Sequence, residues 1–89
     1  MSVLKAKVVQ TDMKESMQQE AVNACAKAIA EDDSPIAVAN AVRKHFDEYY
    51  GPSWTCTVGR DFSSAFAYQK RRHISLSMGG KQILLFKSA

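Results

Sequence analysis

Apolar and basic residues alternate from Val3 to Val9 through Lys5 and Lys7, which predicts a short, half-exposed strand at a sheet edge. Asp12 then precedes Glu15 by three, a capping-box spacing that satisfies free N–H groups where a helix begins. The helix so opened runs to about Glu31, and Met17, Ala21, Ala24, Cys25 and Ala28 give it a narrow stripe of mostly small residues. Lys14, Gln18 and Lys27 fall on its opposite side. Asp32, Asp33 and Ser34 end this helix and start a second, with Pro35 in the first turn, where a missing N–H costs nothing. So short a linker predicts adjacent, roughly antiparallel helices. Ile36, Ala39, Val42, Phe46 and Tyr49 or Tyr50 form the expected inner face of the second helix, Arg43, Lys44 and Glu48 its outer one, and Gly51-Pro52 stops it.

Beyond Pro52 the period changes to two. Trp54, Cys56 and Val58 alternate with Thr55 and Thr57, and Gly59, Arg60 and Asp61 predict a bend or bulge. Phe62, Ser64, Phe66 and Tyr68 share one face of a further strand, with Ser63, Ala65 and Ala67 on the other. Lys70, Arg71 and Arg72 read as a charged turn. Ile74, Leu76 and Met78 then alternate with His73, Ser75 and Ser77, and Gly79-Gly80 marks a hairpin into Lys81 to Lys87. Ile83 to Phe86 is apolar on both faces, which predicts a central strand. The fold class is α+β in the order β-α-α-β-β-β-β, an antiparallel sheet with two helices packed on one side, in one domain over residues 1–89.

Composition narrows the class. A chain of 89 residues buries only about 60 to 65% of its unfolded surface, so self-association would add needed stability. The hydrophobic fraction of 46% and charged fraction of 24% are those of a folded globular protein. A net charge of +3 admits acidic partners without requiring them. Cys25 and Cys56 sit at apolar positions and read as reduced core residues of a reducing compartment. Lys5 and Lys7 interrupt the only early apolar run, which argues against a signal peptide. No stretch approaches the ~20 apolar residues of a membrane span. A soluble intracellular protein without membrane partners is expected.

Candidate chemistry is sparse. His45 and His73 are not spaced with Cys25 or Cys56 as a zinc ligand set would be, so neither metal nor cofactor is expected, and His45 reads as a partly exposed helix residue. A Cys56–His73 nucleophile pair is disfavoured because Cys56 alternates with Trp54 on the buried face. Glu31, Asp32 and Asp33 lack the alternating ligands of a calcium loop and serve as helix punctuation. The cluster Lys70 to His73 suits nucleic acid or acidic lipid in principle. A solvated turn explains it better, since Phe62, Phe66 and Tyr68 do not interleave with basic residues as a stacking platform would. The strand from Phe62 to Tyr68 is either an ordinary sheet member or one that pairs with another chain, and its composition does not choose between them.

The segments DMKESMQQEAV (Asp12 to Val22), HFDEYYGPSW (His45 to Trp54), VGRDF (Val58 to Phe62) and ILLFKSA (Ile83 to Ala89) closely resemble the small dynein light chain family, the dimeric hub type, in order and spacing over the whole chain. The resemblance implies a non-enzymatic, strand-crossed homodimer in which Phe62 to Tyr68 pairs with the partner's sheet. It implies two grooves, each taking an extended peptide against Arg60, Asp61, Phe62, Ser63, Ser64, Ala65, Phe66, Ala67 and Tyr68, with His73, Ser75, Ser77, Leu84 and Ile36 completing the site. Thr55, Thr57 and Ser88 match the family's dimer contact. The implied partners are a dynein intermediate chain or other proteins with extended linear segments, in the cytoplasm and cytoskeleton, with cilium or flagellum as a narrower setting. Several positions depart from the family. Ala65, Ser75 and Ser77 stand where tyrosines are usual, Ile36 where a lysine grips a peptide glutamine at the start of the second helix, His73 where an aromatic lines the groove, Tyr68 for a histidine, Gln82 for an alanine, and Thr55 for a histidine at the dimer contact.

Overall fold

Helical spacing gives way to alternation at Gly51, and the structure follows that switch. The computed structural model describes residues 6–59 and 68–88. They form β1 (Ala6–Thr11), α1 (Glu15–Glu31), α2 (Pro35–Tyr50), β2 (Trp54–Gly59), β3 (Tyr68–Met78) and β4 (Lys81–Ser88). The four strands make one antiparallel sheet in the order β1-β3-β4-β2. The expected strand at Phe62 to Tyr68 lies outside the described residues except for Tyr68, which opens β3.

Both helices pack on one face of the sheet. The core joins Met17, Ala21, Cys25 and Ala28 of α1 and Val38, Val42 and Phe46 of α2 to Trp54, Ile74, Leu76, Met78, Ile83 and Leu85. Register puts these strand residues on a common face: Leu85 stands opposite both Ile74 and Cys56, and Ile83 opposite both Leu76 and Val58. As its sequence predicts, β4 is central, and burial of a side chain such as Leu85 stabilises the fold by about 1.5 to 3 kcal/mol. Gly79 and Gly80 form the two-residue hairpin, both with positive φ (59° and 76°), which β-carbon-bearing residues rarely adopt. Gly51 (φ 78°) ends α2, and Lys87 Nζ donates to Tyr50 O at 3.2 Å, bringing a cation to the negative end of the helix.

Four local expectations are corrected. Lys14, not Asp12, is the N-cap residue of α1, and no side chain caps it. The Asp12 carboxylate is engaged at longer range, where Oδ1 accepts the His73 N–H at 3.1 Å while the Asp12 N–H donates to His73 O at 3.3 Å. With the Thr11 hydroxyl donating to the same carbonyl at 2.7 Å, this turn ties the end of β1 to β3. On α2 the buried stripe is Val38, Val42 and Phe46; Ile36 is 74% exposed, Ala39 half-buried and Tyr49 65% exposed, because the true stripe runs at strict four-residue steps. Lys70, Arg71 and Arg72 are not a turn but part of β3. β1, described from Ala6, runs on to Thr11 beyond the expected end at Val9, with an irregularity between Val8 and Gln10.

Candidate functional site

Because strand side chains alternate, the sheet has a second face, turned from the helices. Cross-strand register lays it out in rows: His73, Phe86 and Thr55; then Gln10, Ser75, Leu84 and Thr57; then Lys7, Ser77 and Gln82. This gathers six of the expected groove and dimer-contact residues, His73, Ser75, Ser77, Leu84, Thr55 and Thr57, on one surface. Thr55 and Thr57 are exposed, whereas Leu84 is buried (5% exposed) without belonging to the helix-side core. Ile36 lies elsewhere, in the first turn of α2. Beside that turn an open hollow of about 370 Å³ is lined by Asp33, Ser34, Pro35, Gly59, the hairpin glycines and Lys81. Arg60, Asp61, Phe62, Ser63, Ser64, Ala65, Phe66 and Ala67 fall outside the described residues. Tyr68 pairs in register with Ser88 at the other end of the sheet.

The outer edge of β2 is the second element of the site. Trp54 stands opposite Lys87, yet its amide donates to Asp47 Oδ1 of α2 at 2.8 Å. Successive residues of a strand direct their backbone groups to opposite sides, so Cys56 and Val58 also present theirs to the outer edge. No strand pairs with that edge among the described residues. Asp47, further held by Arg43 Nη1 at 3.3 Å, therefore fixes the start of β2 against α2. Sequence reading missed it; the signal available was an acidic residue one turn after an arginine on a helix that packs against a strand.

Other polar groups are engaged structurally. The His45 Nε2–H donates to Glu20 Oε1 at 2.6 Å, linking α2 to α1, and the Tyr49 ring meets the imidazole edge-on at 4.5 Å. Burial pushes the Cys25 thiol up to about 12 and the Cys56 thiol higher as well, so neither is a nucleophile near neutrality. Cys56 and His73 are on opposite faces of strands separated by β4, which rules out their pairing. Among the described residues no three His, Cys, Asp or Glu side chains gather as a metal site, and no helix is long and apolar enough to cross a membrane.

His73 is 4% exposed, and burial lowers its pKa, an effect only partly offset by Asp12. The folded state thus holds the ring neutral, while the unfolded chain takes a proton near ~6.5. Stability is fully present above that pH and is lost as pH falls from it toward the lower folded value. Urea midpoints at fixed protein concentration should decline between pH 7.5 and pH 5, and His73→Gln should flatten that decline. Parallel loss in both proteins would show that another group controls it.

The family profile described as dynein light chain type 1 matches residues 5–88. Two crystal structures of the dynein light chain-like domain of Fasciola hepatica calcium binding protein FhCaBP2 superpose with TM-scores of 0.86 and 0.83 at 19% identity, covering 96% and 94% of this chain and 92% of theirs. The DLC-like domain of CsTAL3 gives 0.74 at 10% identity, covering 92% of this chain and 90% of that one. At such identities these structures speak for the fold alone, and the profile match for the lineage. The four-stranded antiparallel sheet with its two helices on one face is the fold of a chain that belongs to the dynein light chain type 1 family.

Proposed function

We propose that this chain is a non-catalytic, dimeric protein-interaction subunit of one domain, which takes extended segments of partner proteins as added strands and holds two of them side by side. The observation that carries this reading is the outer edge of β2, which lies against α2 and pairs with no strand among the described residues. Unpaired backbone groups on a flat edge are a template for another strand, and edges left uncovered are a liability that a soluble protein must manage. Membership of the family adds the expected form of cover, a strand over Phe62 to Tyr68 exchanged between two copies, with Thr55, Thr57 and Ser88 at the contact. Two identical grooves raise the effective concentration of neighbouring partner segments, which promotes their pairing. A dynein intermediate chain is the expected partner in the motor complex, in cytoplasm and cytoskeleton.

Sedimentation equilibrium at ~50 μM, well above the ~1 μM dissociation constant of a moderate complex, should show a dimer. A monomer alone at that concentration would refute the exchange. A second reading, a structural motor subunit whose groove ignores family motifs, is favoured by Pro35 and Ile36. Pro35 has no N–H, and Ile36 brings no charge to the same helix end. A peptide array probed with the purified protein separates the two, since the hub reading requires bound motifs and the structural reading none.

A further inference from the structure

Between α1 and α2 runs an open trough of about 480 Å³, which Ala24, Ala28 and Ala41 line with single methyl groups. Its charges fall in a definite order. The Glu20–His45 bond sets Lys44 level with Ala21 of the antiparallel α1, and Lys27 then lies six residues, or about 9 Å, further along the axis. Glu31 stands one turn beyond Lys27, and Glu48 one turn beyond Lys44 in the opposite direction, so the trough reads acidic, basic, basic, acidic. All four side chains belong to exposed residues. Among the described residues neither lysine is in an ion pair, although each has a glutamate four positions on. Lysine before glutamate is the weaker order of such a pair, which leaves both charges for another partner. At the Glu48 end Tyr49 is 65% exposed yet held in place, its ring edge-on to the imidazole that Glu20 fixes.

We infer that this trough is a docking surface for a helix of a partner protein, whose contact face bears two acidic residues about two turns apart and a basic residue one turn outside each. Charge complementarity sets that order. The floor of alanines lets the backbone of such a helix approach closely, and a basic residue at the Glu48 end also meets the Tyr49 ring in a cation–π contact. A small molecule is held by enclosure of most of its surface, which an open trough does not give. A second copy fits less well, because two-fold pairing of two such troughs sets lysine against lysine and glutamate against glutamate. The trough shares no residue with the outer edge of β2 or the outer face of the sheet, so a helix seated in it leaves strand addition free.

A displayed library of helices of about 20 residues, long enough to be helical alone, tests this when selected on the full chain. Enriched sequences should carry the basic, acidic, acidic, basic order. A synthesised peptide of their consensus should bind about tenfold more weakly to the Lys27→Glu/Lys44→Glu variant, as two exposed ion pairs turned repulsive allow. Exchanging the two central acids of the peptide for lysines should restore binding to that variant alone. Ala41→Trp, which fills the trough from an exposed position, should abolish binding, and unchanged thermal melts confirm that both variants fold. Enrichment of no sequence, or of sequences whose binding ignores both variants, overturns the assignment and leaves strand addition untouched. Association of the chain with itself that is lost in Lys27→Glu/Lys44→Glu, read by sedimentation, overturns it in favour of a second copy.

Discussion

Phe46→Ala is expected to cost about 3 to 5 kcal/mol, the usual range for emptying a fully buried aromatic site, and so to leave little of the native state. Phe46 has no exposed surface and sits where three elements meet. Its ring is 4.8 Å from that of Trp54 and 5.1 Å from that of Tyr50, so it joins α2 to the start of β2. Domains are typically stable by only about 5 to 15 kcal/mol, and one of this size belongs at the lower end. Trp54 makes the loss easy to read. It is the sole tryptophan, and among the described residues its buried indole Nε1 finds no hydrogen-bond partner while its ring packs against Phe46 and Tyr50. Urea unfolding followed by Trp54 fluorescence should show the destabilisation, while Tyr49→Ala on the exposed side of the same helix should stay within about 0.5 kcal/mol. A loss under about 1 kcal/mol in Phe46→Ala would mean that Phe46 is not the keystone described.

Much of this architecture was legible from residue order, because periodicity reports burial directly. The α1 stripe at Met17, Ala21, Cys25 and Ala28, the Gly79-Gly80 hairpin and the central place of Ile83 to Leu85 all follow from spacing and are all present. What failed was local chemistry with a distant competitor. Asp12 has the spacing of a capping residue, but the His73 amide, 61 positions away in sequence, takes its carboxylate. Lys70 to Arg72 shows no alternation, and only the pairing of Tyr68 with Ser88 and His73 with Phe86 reveals a bulged strand. Ile36 is apolar, but at 3.6 residues per turn it lies about 120° around the helix from Val42, off the stripe of Val38, Val42 and Phe46 that faces the sheet. The candidate site was less legible still. Exposed hydroxyls such as Thr55 and Thr57 carry no signal of their own, and only the strand register shows that they share a surface with Ser75, Ser77 and Leu84.

That shared surface also decides through which residue acid should act on this protein. Thr55 has no proton to gain between pH 5 and 7, but His73 stands in the same row across Phe86, and its buried ring is the group that protonation would disturb. Any acid effect on association should therefore follow His73 rather than position 55.

Peptides of the family type, with a central glutamine, should bind this protein weakly and gain affinity in steps as the groove is rebuilt. The start of α2 is the end of the site that would meet the glutamine, and free helical N–H groups there suit an acceptor. Two features weaken it. Pro35 removes one N–H outright, and Ile36, though 74% exposed and so placed to reach a ligand, has neither charge nor donor. Ile36→Lys supplies a charge-assisted hydrogen bond of a kind worth about 1.5 to 3 kcal/mol. At an exposed position the lower end is expected, which is roughly a tenfold gain. Adding Ser75→Tyr and Ser77→Tyr should improve binding further, because both positions lie on the sheet face turned from the helices, beside Leu84 and Gln82, and aromatic rings there would bury apolar surface against a bound segment. Calorimetry on the single, double and triple variants decides the matter. Sub-micromolar affinity in the unmodified protein would show that backbone pairing outweighs these side chains. No gain in the fully rebuilt variant would show that the groove does not form.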